Sequence, residues 1–86
     1  MAGLTILYFA WVRERIGTGE ERMERPAPGT TIAALLDRLE ADSAGHAEAF
    51  RERSRLRAAL DQQFVPLETV IGDAAELAVF PPVTGG

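Results

Sequence analysis

The residues with the clearest chemical potential stand together in the segment Phe80-Pro81-Pro82-Val83-Thr84-Gly85-Gly86. Glycine has no Cβ, so a Gly-Gly pair lets the backbone pass through a narrow channel and press its carboxylate against a nucleotide. A free carboxylate is a poor electrophile, because its leaving group would be oxide. Adenylation gives a mixed anhydride whose leaving group is AMP, which sulfur can displace. The chemistry expected of Gly86 is therefore an acyl adenylate followed by a thiocarboxylate, with Gly85 keeping the approach open. Proline has a fixed φ and no N–H to donate, so Pro81-Pro82 stops a strand and stiffens its exit toward polyproline II geometry. Residues 81–86, at about 3.3–3.6 Å each when extended, reach roughly 20 Å from the fold. That suffices to enter another protein's active site.

Side-chain catalysts are scarce by comparison. There is no cysteine among the 86 residues, which excludes disulfides, thiolate metal sites and a cysteine nucleophile. His46 is the only histidine; it stands in a polar stretch with no metal-ligand spacing and reads as a solvent-exposed surface residue. No Gly-rich phosphate loop, His-Glu metal motif or nucleophile elbow is present, so no metal site and no independent enzyme are expected. Arg51, Arg53, Arg55 and Arg57 are interspersed with Glu48 and Glu52, which fits a solvated face. The net charge of −4 argues against a nucleic-acid binder and leaves a basic or mixed protein surface as the natural partner. All nine basic residues are arginine. Compositional bias accounts for that. A carrier of an activated acyl group would also gain from lacking amines that attack it.

These residues need a scaffold, and the chain has room for one small domain. The apolar run Leu4 to Val12 is too short to cross a bilayer, and no basic segment precedes it; a cytoplasmic protein with no membrane contact is expected. Leu4 to Phe9 reads as a strand covered on both faces or placed centrally. Ala10 to Ile16 suits a short helix ended by Gly17, and polar Glu20 to Arg25 suits an edge strand paired with the first. Thr30 or Thr31 can cap a helix in which Ile32, Leu35, Leu36 and Leu39 form one apolar face. From Asp42 to Arg55 the pattern weakens, with Gly45 as a break and Ala47 and Phe50 anchoring at most a second short helix. Leu56–Leu60 and Phe64–Leu67 suit two short strands joined at a polar break, and Glu76 to Phe80 a last strand. The layout is α+β, a mixed sheet packed on one main helix, with a domain over 1–80 and an extended tail over 81–86. A β-grasp arrangement, with the last strand beside the first, is the natural candidate.

The tail Phe80-Pro81-Pro82-Val83-Thr84-Gly85-Gly86 resembles the terminal motif of the small-subunit family of molybdopterin synthase, and Phe9-Ala10-Trp11-Val12-Arg13-Glu14-Arg15-Ile16-Gly17 resembles that family's N-terminal segment. The likeness covers essentially the whole chain. It implies a ubiquitin-like β-grasp fold, adenylation of Gly86 by a dedicated ATP-consuming enzyme, and sulfur carried as a C-terminal thiocarboxylate with no cofactor bound. It further implies docking on a large subunit, in a heterotetramer, where the tail delivers sulfur to cyclic pyranopterin monophosphate. By the same resemblance Phe80, Pro81, Pro82, Val83 and Thr84, with Phe9 and Arg13, contribute to partner binding. Phe9 and Trp11 read equally well as core or interface. The chain departs from the family pattern at Leu60-Asp61-Gln62, where Val-Asn-Gln is usual, and in the longer turn Gly72-Asp73-Ala74-Ala75-Glu76. The alternatives are a sulfur carrier for thiamine or cysteine synthesis, a ubiquitin-like protein modifier, and a passive interaction module.

Overall fold

The computed structural model describes residues 3–82. Strand β1 (Gly3–Tyr8) leads into helix α1 (Ala10–Ile16), and β2 (Glu20–Glu24) returns antiparallel beside β1. Helix α2 (Ile32–Asp42) crosses the sheet and is followed by α3 (Ala44–Ala49) and a 3₁₀ turn at Arg53–Arg55. Strands β3 (Arg57–Leu60), β4 (Gln63–Val65) and β5 (Glu76–Phe80) complete a five-stranded sheet of order β2-β1-β5-β3-β4. Strand β5 lies in the middle, parallel to β1 and antiparallel to β3. This is the ubiquitin-like β-grasp arrangement, with β2 on an edge as its polar sequence requires.

One face of the sheet meets the helices. Leu4, Ile6 and Tyr8 of β1, Leu77 and Val79 of β5 and Ala58 of β3 join Ile32, Leu35, Leu36 and Leu39 of α2 in one buried cluster with Val12 and Phe50. Thr31 caps α2, its hydroxyl accepting from Ala34 N–H at 3.1 Å. Gly17 ends α1 at φ 96°, a left-handed position that glycine takes at little cost. Strand β1 is internal to the sheet, but only one of its faces is covered, and Leu7 looks out on the other.

Three expectations from the sequence are corrected. Gly45 does not break a helix; it lies inside α3, where an added Cβ would come within 3.0 Å of the Arg15 carbonyl oxygen, so α1 and α3 meet closely at that point. His46 is not a solvent-exposed residue: its side chain is 12% exposed. Its Nε2 lies 2.5 Å from Glu21 Oε2, which also accepts from the Tyr8 hydroxyl at 2.8 Å, while Ser43 Oγ sits 2.6 Å from Nδ1. Burial first, then the hydrogen bond and charge of Glu21, push the Tyr8 phenol well above its ordinary pKa. Arg53 also leaves the solvated face, pairing with Asp37 at 2.7 Å and Glu40 at 2.9 Å and so tying the 3₁₀ turn to α2.

Candidate functional site

Strand alternation puts Ala78 and Phe80 on the sheet face opposite the helices, while Leu77 and Val79 point into the core. The register then builds a row across four strands. Leu7 pairs with Ala78, Ala78 with Ala59, and Ala59 with Phe64. The two alanines make a low floor, and larger side chains rise on either side of it. Phe64, 73% exposed, stands against Phe80 with ring centroids 5.2 Å apart and planes tilted by 50°. Phe9, 49% exposed, stands near the other end beside Ala10. The result is an apolar trough of about 640 Å³, completed by Gln62, Glu76, Pro81 and Pro82.

Two backbone features hold the ends of this trough. The β3–β4 connection is a two-residue turn at Asp61-Gln62, with φ of 48° and 72°, the doubly left-handed form whose twist suits a hairpin. Asp61 offsets that conformation by accepting from Ala75 N–H at 2.9 Å and Glu76 N–H at 3.1 Å through Oδ1, which fastens the hairpin to the start of β5. At the opposite end Ala10 also has a positive φ, 55°, where the chain turns from β1 into α1. Ala10 and Gln62 both line the trough, so its two ends carry backbone strain of a kind that tends to gather at working surfaces.

The structure brings Phe9, Phe80, Pro81 and Pro82 together. Phe80 is only 9% exposed because Phe64 covers it, so it forms a wall of the trough rather than a protruding knob. Arg13 is not with them: it is exposed on α1, its side chain passing close over Gly19. Val83, Thr84, Gly85 and Gly86 lie outside the described residues. Trp11 faces away from the trough, packed partly against the main core. Reading the sequence missed Phe64, Leu7, Ala59 and Ala78. The signal was there in part, since Leu7 is out of phase with Ile6 and Tyr8, but the pairing of Ala59 with Ala78 depends on the sheet order. Among the described residues no group of three or more His, Cys, Asp or Glu side chains could hold a metal ion. No helix among them is long and apolar enough to cross a membrane.

An apolar surface of this shape, beside Pro81-Pro82 at the end of a central strand, is suited to holding a partner. The model of the ThiS family matches residues 6–86. The chain belongs to the ThiS family. Among curated relatives, this ThiS-family chain is 39% identical to the molybdopterin synthase sulfur carrier subunit of Escherichia coli, across 96% of its own length and 99% of the relative's. It is 36% identical to the protein of the same name from Haemophilus influenzae, with the same coverage. Among solved structures, SAMP1 from Haloferax volcanii superposes with a TM-score of 0.69 at 23% identity, covering 99% of this chain and all of that one. That last likeness is one of fold. It places the five-stranded sheet of this ThiS-family member in the ubiquitin-like β-grasp group.

Proposed function

We propose that this chain is the sulfur carrier of molybdenum-cofactor biosynthesis, acting as the small, non-catalytic subunit of molybdopterin synthase. Gly86 attacks ATP through its carboxylate on an activating enzyme, and pyrophosphate leaves. Sulfur at the sulfide level, HS⁻, then adds to the acyl carbon of the adenylate, a C–S bond forms, and AMP departs with the broken C–O bond to leave the thiocarboxylate. Docked on the large subunit, in a heterotetramer, the tail gives its sulfur to cyclic pyranopterin monophosphate: the sulfur bonds to a substrate carbon in place of an oxygen, and water then cleaves the acyl–sulfur bond to return the Gly86 carboxylate. No cofactor is held by the carrier itself, and the reaction belongs to the cytoplasm.

The observation that carries this reading is the 39% identity to a molybdopterin synthase sulfur carrier subunit over nearly the full length of both chains. The trough supports it physically. A partner seated on Phe9, Phe64 and Phe80 would be next to Pro81-Pro82, a pair that stops strand β5 where the tail begins. The decisive experiment is the intact mass of the protein after incubation with its activating enzyme, ATP and a sulfur source. Exchange of one oxygen for one sulfur is expected, and deletion of Gly86 should abolish it while leaving the circular dichroism unchanged. An unaltered mass under conditions that charge a known carrier would overturn the proposal.

A further inference from the structure

A second groove lies on the other side of α1, between that helix, the end of α3 and the 3₁₀ turn. It has a volume of about 380 Å³, and its lining includes Trp11, Arg15, Glu48, Arg51, Glu52 and Arg55. The guanidinium carbon of Arg15 is 4.7 Å from the centroid of the Trp11 ring and that of Arg55 is 5.4 Å from it. Both are within the range of a cation–π contact. A contact of this kind through the π-system leaves guanidinium N–H donors that carboxylate oxygens can take.

The carboxylates already present occupy few of those donors. Glu48 pairs with Arg51, and Glu52 with Arg55 at 3.6 Å; all four side chains are more than half exposed. Exposed pairs of this kind contribute about 0–1 kcal/mol, so an incoming carboxylate displaces them at small cost. Arg15 has no carboxylate partner among the described residues. On a chain of net charge −4, this groove is a local excess of positive charge with an aromatic floor.

We infer that the Trp11 groove is a docking site for an acidic peptide segment of a partner protein. Separate carboxylates would meet the N–H donors of Arg15 and Arg55, the two guanidiniums held beside the indole. Charge placement favours a peptide over a nucleotide. Glu48 and Glu52 line the same groove and repel the concentrated charge of a polyphosphate, whereas single carboxylates spaced along a backbone can avoid them. The site stands independently of the sulfur-carrier reading, since neither Gly86 nor the trough enters it.

Trp11 is the only tryptophan, so its emission reports occupancy directly. The test titrates the full chain with a capped peptide alternating Glu and Gly, beside a Gln-Gly peptide at matched ionic strength. A saturable change in Trp11 emission is expected with the first only, weakening as salt is raised. Arg15→Gln with Arg55→Gln should weaken binding about tenfold or more, and Glu52→Gln should tighten it. Arg15→Lys with Arg55→Lys retains charge and should bind between the wild type and the Gln pair, which keeps the test valid if the Gln pair unfolds in urea too early. A response that is absent, that survives in the Gln pair, or that ATP or inorganic phosphate reproduces at the same concentration would overturn the inference.

Discussion

Phe64→Ala separates the trough's part in docking from its part in the fold. Phenylalanine presents about 200 Å² of side chain, and Phe64 leaves 73% of its surface uncovered, so roughly 150 Å² awaits a partner. At about 25 cal/mol per Å² this sets a ceiling of about 3–4 kcal/mol. An alanine keeps its Cβ, and covering is never complete, so the expected loss is about 2 kcal/mol, or roughly 30-fold in Kd. The cost to the fold is smaller. The ring's main intramolecular contact is Phe80 at 5.2 Å, and such a pair contributes about 0.5–1.5 kcal/mol. Phe80→Ala should invert the balance, since a ring 9% exposed is already buried within its own chain and removing it costs the fold about 3 kcal/mol or more. Titration calorimetry against the large subunit and the activating enzyme, with urea unfolding of each variant, measures both quantities. If Phe64→Ala unfolds normally and binds both partners with wild-type Kd, the trough is not the docking surface.

Alkaline pH probes the core. The raised Tyr8 pKa means that the folded state holds the phenolic proton more tightly than the unfolded chain. Stability from this group is therefore complete below pH about 10 and falls as pH rises beyond it, approaching about 1.4 kcal/mol per pH unit. With no lysine and a single tyrosine, the tyrosinate absorbance should rise together with loss of helix, and Tyr8→Phe should flatten the slope; ionisation ahead of unfolding would contradict this. Asp61→Ala removes two hydrogen bonds at a left-handed residue and should lower urea stability by about 2–3 kcal/mol, with Asp61→Asn recovering most of it. Gly45→Ala would drive a methyl to within 3.0 Å of the Arg15 carbonyl oxygen, and a loss of about 1–3 kcal/mol is expected despite the better helix propensity of alanine. A neutral or stabilising result in thermal melts would show that α1 and α3 are not pressed together there.

Local pattern carried the main elements. The spacing of Ile32, Leu35, Leu36 and Leu39 locates α2, and Gly17 marks the end of α1, because each reflects a preference settled within a few residues. The pairing of β1 with β5 followed from the β-grasp expectation rather than from either strand alone. His46 escaped because its carboxylate partner, Glu21, is 25 positions away on a strand whose nearness to α3 no local pattern shows, although Ser43, three residues back, also meets its ring. The trough was half legible. Phe9, Phe80 and the proline pair announce themselves by type and place, whereas Ala59 and Ala78 matter for being small, which sequence pattern does not distinguish from ordinary filling. Phe64 read as a strand residue without a face, since the face is set by the register of a three-residue strand against β3.

The position of β5 explains how one small domain can serve as both anchor and presenter. Leu77 and Val79 lock the strand into the helix-covered core, and the alternate residues Ala78 and Phe80 form the floor and wall of the open trough. Neighbours β1 and β3 hold it on both sides through backbone hydrogen bonds, so the strand cannot peel away as an edge strand could. A partner that grips the trough therefore grips the rigid centre of the molecule, and Pro81 follows Phe80 without an intervening flexible residue. Alanines at 59 and 78 reconcile the competing demands on that face. Larger side chains would fill the trough and leave no room for a partner, while polar ones would forfeit the apolar burial that makes docking favourable. Within the trough the strongly exposed apolar surface of the described residues is thereby that of Phe9 and Phe64, which a partner would be first to cover.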